Sequence, residues 1–396
     1  EICACLVGSE MCIRDRSYSR AGIISLAAVC TIFLYQKLLH RRILKFSLLA
    51  GLVALILGCY WIKKDSADGR LLIWQSCINM VKDSPWIGHG LGSFEAHYMD
   101  YQAEYFRIHG QQNRYAMLAD NVKHPFNEYM EILLNFGIIG LVILFAFIFL
   151  LIYCYKLNPD IEKKIAVYVL ISIGTFSLFS YPFTYPFTWI ITLLSVLIII
   201  KEPIKVFFAA SWKKNVVCAL VIGCSMIGIY ELVERIQAEL EWGRISKLTL
   251  SDSYDTVLPA YEKLEKAFAD NPYFLYNYAA VLLEKKQYDK SLEIALQCRK
   301  YWADYDLELI LGENYQQLNK PKLAEKYYNS ASMMCPSRFL PLYKLFHLYK
   351  MNGEKERSLA MAEAVVDKPM KIETVAIKRM KREMEREIQK INIVTE

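Results

Sequence analysis

Residues 165–200 read IAVYVLISIGTFSLFSYPFTYPFTWIITLLSVLIII and contain no charged side chain. A helix crosses the hydrocarbon core of a bilayer with about 20 apolar residues, so this stretch is too long for one crossing. Proline interrupts a helix because it lacks a backbone N–H and its ring clashes with the preceding turn. Pro182 and Pro186 therefore predict a tight hairpin at 181–187 between two membrane helices.

Similar apolar runs lie on both sides of this hairpin. The candidate spans are 21–39, 44–62, 132–155, 165–181, 186–200 and 216–232. Hydrophobic residues make up 55% of the chain and crowd its first part, whereas charged residues crowd 231–396. This asymmetry indicates two regions with different solvents rather than two ordinary globular domains. We predict an all-α protein in which a polytopic transmembrane bundle precedes a soluble helical domain.

Basic residues in the short connections predict the orientation of the spans. They follow the first span, the third span and the fifth span, at Lys37, Arg41, Arg42, Lys45, Lys156, Lys163, Lys164, Lys201, Lys205, Lys213 and Lys214. Short loops rich in Lys and Arg stay in the cytoplasm. The prediction is a multi-pass protein of the bacterial cytoplasmic (inner) membrane, with spans in 17–62 and 132–232. The loop 63–131 and the tail 233–396 are then extracytoplasmic.

The tail repeats with a period near 34 residues. The positions that recur are Tyr278, Ala279, Leu282, Tyr288, Ser291, Leu311, Gly312, Tyr315, Ala324, Tyr328, Ala331, Pro336, Leu345, Phe346, Tyr349 and Ser358. This spacing predicts a tetratricopeptide-type α-solenoid, in which small residues let paired helices approach and large ones fill the seam. A helix at about 256–270 precedes the repeats, and a charged amphipathic helix at 371–392 caps the stack.

Residues 1–16, EICACLVGSEMCIRDR, resemble a translated sequencing-adapter peptide, and the alternative is a poorly patterned natural N-terminus. We expect a non-native leader on a fragment that lacks upstream spans. Elsewhere the cysteines form no CxxC pair, so neither a disulfide framework nor a zinc site is indicated. The net charge of +6 is explained by membrane loops and predicts no nucleic-acid partner.

The loop 63–131 and the residues before the first span hold most of the polar motifs. These are Ser19-Arg20-Ala-Gly22, Gly69-Arg70-Leu-Leu-Ile-Trp74, Pro85-Trp-Ile-Gly88-His-Gly90-Leu-Gly92-Ser-Phe94 and His124-Pro-Phe-Asn127 running on to Gly137 and Gly140. In this order they resemble the bacterial O-antigen ligase and polymerase superfamily over residues 17–200. The resemblance implies a metal-independent glycosyltransferase without cofactor, which moves a glycan from a polyprenyl diphosphate carrier to a lipid, polysaccharide or protein acceptor. The apparent lack of N-terminal spans leaves its stand-alone activity open.

The predicted topology brings Arg20, Arg70 and His124 to the same membrane surface. A guanidinium has a fixed charge and a planar donor fork that suits diphosphate oxygens, so Arg20 and Arg70 are the candidate donor ligands. The alternative is that Arg20 snorkels at the interface and Arg70 caps an amphipathic helix. An imidazole with an ordinary pKa near about 6.5 accepts a proton near neutrality, and His124 is the candidate general base.

The remaining candidates support this site. His124-Pro125 is expected in the first turn of the helix leading into 132–155, where Asn127, Glu128 or Glu131 shares its face and orients the ring. Solvated first-turn carboxylates are the alternative. Gly88, Gly90 and Gly92 predict a tight turn where backbone approaches a ligand, or an ordinary loop. The other histidines of the loop are expected to be solvent-facing or structural, without a metal site.

The sequence therefore predicts an inverting transferase of lipid-linked glycans, with the repeats holding an acceptor or partner protein outside the membrane. One alternative is a non-enzymatic membrane anchor that presents the repeats as a docking platform. A transporter is a third possibility, although the spans lack the charged pairs of an ion pathway.

Overall fold

A computed structural model describes residues 19–37, 42–207, 211–249 and 254–395, and the sixteen N-terminal residues lie outside these ranges. The described residues form α-helices and no β-strand, in agreement with the all-α prediction from the apolar spans and the repeat pattern. A short 3₁₀ helix, Pro182–Thr184, lies in the predicted hairpin. The α-helices are α1 (Arg20–Lys37), α2 (Arg42–Ile62), α3 (Lys64–Asp83), α4 (Ser93–His109), α5 (Glu128–Leu157), α6 (Ile161–Ser177), α7 (Pro186–Phe207), α8 (Ser211–Thr249), α9 (Tyr254–Leu264), α10 (Pro272–Glu284), α11 (Tyr288–Arg299), α12 (Tyr305–Gln317), α13 (Pro321–Met334), α14 (Leu340–Met351), α15 (Lys355–Asp367) and α16 (Val375–Thr395).

The chain divides into two compact units. Unit 1 contains the described residues up to Arg70, together with Val81–Leu91 and His124–Glu234. Unit 2 contains Leu71–Met80, Gly92–Lys123 and the described residues from Arg235 onward. The loop between α2 and α5 is therefore shared by both units, which its sequence does not reveal.

Unit 1 is a bundle in which α6 packs against α1 and α7, and α7 also packs against α5. Leu151, Cys154, Ala166 and Ile199 form a buried cluster where α5, α6 and α7 meet. Large apolar side chains on the outer faces of these helices are exposed, which is the reverse of a water-soluble bundle. Such a surface is stable when lipid covers it.

Among the described residues, three helices are long and apolar enough to cross a membrane, namely Arg42–Ile62, Glu128–Leu157 and Asn215–Thr249. A further apolar helix, Pro186–Lys201, is shorter. These helices support a multi-pass membrane protein. The other predicted spans, including those within α1 and α6, stay predictions.

Unit 2 contains three helix pairs, α10 with α11, α12 with α13 and α14 with α15, and the two members of each pair pack together. The residues of the repeat pattern explain this packing. A Cβ atom on Gly312 would lie 2.4 Å from the ring of Tyr328, so only glycine lets α12 and α13 approach this closely. The hydroxyl of Ser291 donates a 2.8 Å hydrogen bond to the carbonyl of Ala279 and accepts one from the side chain of Asn314.

The last helix covers the end of this array, as its amphipathic pattern predicts. Met384 of α16 is buried with Phe346 of α14 and Val365 of α15 in one apolar cluster. The helix begins at Val375 and ends at Thr395, a few residues later than predicted at both ends.

Unit 2 also contains α4, which packs against α13. The amide of Gln102 is buried and donates to the carbonyl of Met334 at 2.6 Å. Arg299 of α11 forms ion pairs with Asp100 of α4 and with the buried carboxylate of Glu308. Part of the surface of the helix pairs is therefore covered by this chain's own loop.

Candidate functional site

Arg20 is the first residue of α1, and the hydroxyl of Ser19 accepts a hydrogen bond from the backbone N–H of Gly22 at 3.2 Å. The guanidinium of Arg20 reaches the end of α2 and the start of α3. It donates to the carbonyls of Cys59 and Lys63 at 3.0 and 3.3 Å and to the hydroxyl of Ser66 at 2.9 Å. These contacts hold the side chain of Arg20 where α2 ends and α3 begins.

Arg70 lies on α3 and is partly buried. Its guanidinium donates one hydrogen bond, to the carbonyl of Phe179 at 2.8 Å, after the end of α6. Its face also contacts the ring of Phe126, with 5.0 Å between the guanidinium carbon and the ring centroid. The chain segments before α5 and after α6 thus meet at this arginine.

The charges of Arg20 and Arg70 interact. Burial lowers the pKa of Arg70, the charge of Arg20 lowers it further, and Tyr181 acts in the opposite direction. Among the described residues, no carboxylate forms an ion pair with either arginine. Two neighbouring cations without a carboxylate of their own make a site for an anion, because an anion relieves their repulsion.

His124 does not lie in a helix, contrary to the expectation that it occupies the first turn of α5. The side chain of Asn127 accepts a hydrogen bond from the backbone N–H of Met130 and so begins the helix at Glu128. Phe126 has a positive φ of 54°, which is incompatible with a helical turn at that residue. The predicted common face of His124 and Glu131 is therefore wrong, since the helical period does not extend to residue 124.

The ring of His124 stacks on the ring of Tyr181, with centroids 4.5 Å apart and planes inclined by 23°. Tyr181 also meets the edge of Phe126 at 5.3 Å. Because the guanidinium of Arg70 lies over the ring of Phe126, these aromatic contacts connect His124 to Arg70. The structure thus brings together Arg20, Arg70 and His124, which are far apart in the sequence.

Two of the residues predicted to support His124 have defined structural contacts. Asn127 is the N-cap described above, and the carboxylate of Glu128 accepts a 2.9 Å hydrogen bond from the backbone N–H of Phe183. Tyr129, between Glu128 and the span, donates to the carbonyl of Gly174 at 2.9 Å. The start of α5 is therefore tied to the hairpin that contains Tyr181. Glu131 is partly buried in the first turn of the helix.

The glycine motif pairs with a break in α5. Gly137 has φ 61° and ψ −161°, which interrupts the helix inside an apolar run. A Cβ on Gly137 would lie 2.3 Å from the backbone of Trp86, and one on Gly88 would lie 2.6 Å from the backbone of Leu134 and Asn135. Because Gly88 has no side chain, its backbone can lie against the backbone of α5. The hydrogen bonds between the two segments are His89 N–H to Leu134 O (2.8 Å), Gly90 N–H to Asn135 O (3.0 Å), Ile138 N–H to Pro85 O (2.8 Å) and Ile139 N–H to Trp86 O (3.2 Å).

The other predicted glycines and histidines have different surroundings. Gly90 has a positive φ of 92° with no atom near its Cβ position, and Gly92 precedes α4 in a left-handed conformation. His97 and His109 are exposed on α4, and His89 is partly buried in the glycine motif. Within the described ranges, no group of three or more His, Cys, Asp or Glu residues is placed to hold a metal ion.

Tyr181 and Phe126 are site residues that the sequence did not single out. The signal for Tyr181 is the aromatic repeat Tyr-Pro-Phe-Thr-Tyr-Pro-Phe at 181–187, whose prolines by themselves indicate only a break between helices. Aromatic residues are common at membrane interfaces, so their number in this turn does not distinguish anchoring from a site.

Comparison with protein families matches residues 16–145 to the family described as O-Antigen ligase. The matched range contains Arg20, Arg70, the glycine motif and His124. It supports a membrane enzyme that is similar to the O-antigen ligases and transfers glycans. A comparison with curated proteins finds no match.

Proposed function

We propose that this protein transfers a glycan from a polyprenyl diphosphate carrier to an acceptor hydroxyl outside the cytoplasmic membrane. The observation that carries the proposal is the pair of interacting arginines beside a stacked histidine. Arg70 uses one of its five N–H donors on a protein acceptor among the described residues, so most of its fork is available to oxygen ligands. A diphosphate supplies several such oxygens together with negative charge.

In the proposed reaction the acceptor oxygen attacks the anomeric carbon of the first sugar. His124 takes the proton of the acceptor hydroxyl as the new carbon–oxygen bond forms. The bond between the anomeric carbon and the diphosphate oxygen breaks, and the diphosphate leaves with the electron pair. Arg20 and Arg70 stabilise the charge that develops on the leaving group, and attack from the opposite face inverts the configuration.

Tyr181 has a positioning role in this scheme. A stacked ring restricts rotation of the His124 imidazole. Preorganisation of this kind matters because a base must lie within hydrogen-bond distance of the proton it takes. The contact of Glu128 with Phe183 keeps the hairpin beside the start of α5, and so keeps Tyr181 beside His124.

The helix pairs of unit 2 are proposed to be tetratricopeptide-type repeats on the extracytoplasmic side. The surface covered by α4 is taken by this chain, so a glycan acceptor or partner protein would bind another part of the repeats. The lipid, polysaccharide or protein nature of the acceptor follows from the family resemblance alone.

A docking platform without enzymatic activity predicts a different response to mutation, and His124→Ala separates the two functions. General-base assistance contributes about 10²–10⁴-fold, so glycan transfer should fall by that amount if His124 is the base. The measurement is complementation of a bacterial strain that lacks its own copy, scored by the size and attachment of the surface glycan.

His97→Ala is the matched control, because His97 is an exposed histidine on α4 and lies outside the proposed site. Both variants must reach the wild-type amount in membranes. Normal surface glycan with His124→Ala, at matched expression, excludes His124 as the base and favours the platform.

A further inference from the structure

The segment 85–91 exposes a row of large apolar side chains. The exposed fraction is 66% for Trp86, 70% for Ile87 and 81% for Leu91. Consecutive exposed residues of this size are rare on a surface that faces water, because they form a patch that drives association. The segment therefore needs a covering, and its backbone contacts indicate which one.

The backbone of 85–91 is joined to α5 by the hydrogen bonds that bridge the break at Gly137. Non-helical backbone inside a bilayer is tolerated only where its polar groups are satisfied by protein. Here the N–H groups of Ile138 and Ile139 donate to the segment, and the carbonyls of Leu134 and Asn135 accept from it. The segment thus satisfies the groups that the break leaves without helical partners.

The position of the break along α5 places it within the hydrocarbon. No charged residue occurs from Ile132 to Tyr155, and the centre of that run lies near residue 143. With about 1.5 Å per residue, Asn135–Gly137 lie about 9–12 Å from the centre, and the hydrocarbon extends about 15 Å on each side. The exposed side chains of Phe136 and Ile139 continue the lipid-facing surface beside the segment.

We propose that the segment 85–91 is a membrane-embedded wedge, with Trp86, Ile87 and Leu91 in contact with lipid acyl chains at the Glu128 end of α5. Tryptophan suits this depth, since its ring is amphipathic and concentrates where headgroups meet hydrocarbon. The wedge fixes the glycine motif to the membrane rather than leaving it in a solvated loop. This inference depends on α5 crossing the membrane and not on the chemistry proposed for His124.

A photo-crosslinking amino acid, benzoylphenylalanine, at position 87 of the full chain in native membranes tests the wedge. The same substitution at Val142 is the lipid-facing control, because this α5 residue is 60% exposed inside the apolar run. Position 351 is the solvent control, since Met351 is 73% exposed in unit 2. Mass spectrometry of the irradiated protein should find lipid adducts at 87 in a yield close to that at 142, and none above background at 351.

Gly88→Ala adds a second measurement, because its Cβ would meet the backbone of Leu134 and Asn135. Lipid adducts at position 87 should fall in this background while those at Val142 stay unchanged. Gly90→Ala, with no atom near its Cβ position, should change neither yield.

Three outcomes overturn the wedge. Adducts at 87 as rare as at 351 place the segment in water. Adducts with protein instead of lipid at 87 assign the apolar row to a protein interface. A lack of lipid adducts at Val142 shows that α5 does not face lipid, and the wedge is then excluded with it, whereas the proposed role of His124 is judged by glycan transfer.

Discussion

Replacement of Gly137 by alanine puts a methyl group against backbone atoms that cannot rotate away. The new Cβ would lie 2.3 Å from the carbonyl of Trp86, and the backbone angles, φ 61° and ψ −161°, are ones that essentially only glycine adopts. Relief of the clash requires the segment to move away from α5. The hydrogen bonds from Ile138 to Pro85 and from Ile139 to Trp86 are then lost.

The loss in free energy of unfolding follows from the backbone strain and from the two broken hydrogen bonds. Strain at a glycine-only conformation costs about 1–3 kcal/mol, and each buried polar group left unpaired costs about 1–3 kcal/mol. The strain and the two unpaired N–H groups together amount to about 3–9 kcal/mol, a large share of the roughly 5–15 kcal/mol that stabilises a typical protein. At about 2–4 °C per kcal/mol for a chain region of this size, the unfolding midpoint should fall by about 6 °C or more.

The assay is thermal unfolding of the purified full chain, followed by a dye that fluoresces when it reacts with exposed thiols. Cys59 and Cys154 are buried in unit 1 and report its unfolding. Gly90→Ala, which has a positive φ but no clash, should lose only about 1–2 kcal/mol. Gly51→Ala in α2 has neither problem and is the neutral control. If Gly137→Ala unfolds at the same temperature as Gly51→Ala, the helix break does not exist as described.

Three further predictions concern the anion site and unit 2. Arg70→Lys should reduce glycan transfer from a lipid-diphosphate donor, since lysine keeps the charge but not the planar set of N–H donors. Arg70→Ala should reduce the transfer by about 10²-fold or more, and wild-type turnover of this variant would remove Arg70 from the site. Gln102→Leu leaves the buried carbonyl of Met334 without its donor and should cost about 1–3 kcal/mol in chemical unfolding, whereas Gln112→Leu, at an exposed position, should be neutral. Burial and a neighbouring carboxylate raise the pKa of Asp306 to about 6. Because its unfolded pKa is about 4, the contribution of Asp306 to stability is complete below that pH and is lost as pH rises through about 6. Asp306→Asn should flatten this fall of stability with pH, and an unchanged pH profile of unfolding would contradict the prediction.

The class of fold was predictable because its determinants are local in sequence. Two patterns each indicate the environment of a single helix. They are the apolar runs of α2 and α5 and the repeat pattern around Gly312 and Tyr328. The same applies to the choice of Arg20 and Arg70, whose predicted side of the membrane follows from the order of the spans. The prediction that they converge required no contact to be known in advance, since the predicted topology alone restricts Arg20 and Arg70 to one surface.

What the sequence by itself determined is therefore the helical character, the candidate spans and the set of polar residues at one end of the bundle. Only the tertiary structure placed Tyr181 against His124, began α5 at Glu128 with Asn127 as its N-cap, and paired Gly88 with the break at Gly137. The physical reason is that hydropathy and periodicity measure how each segment is buried, but not which distant segment buries it. A break within a continuous apolar run leaves that pattern intact, because the missing helical hydrogen bonds are replaced by backbone groups that carry no sequence signal.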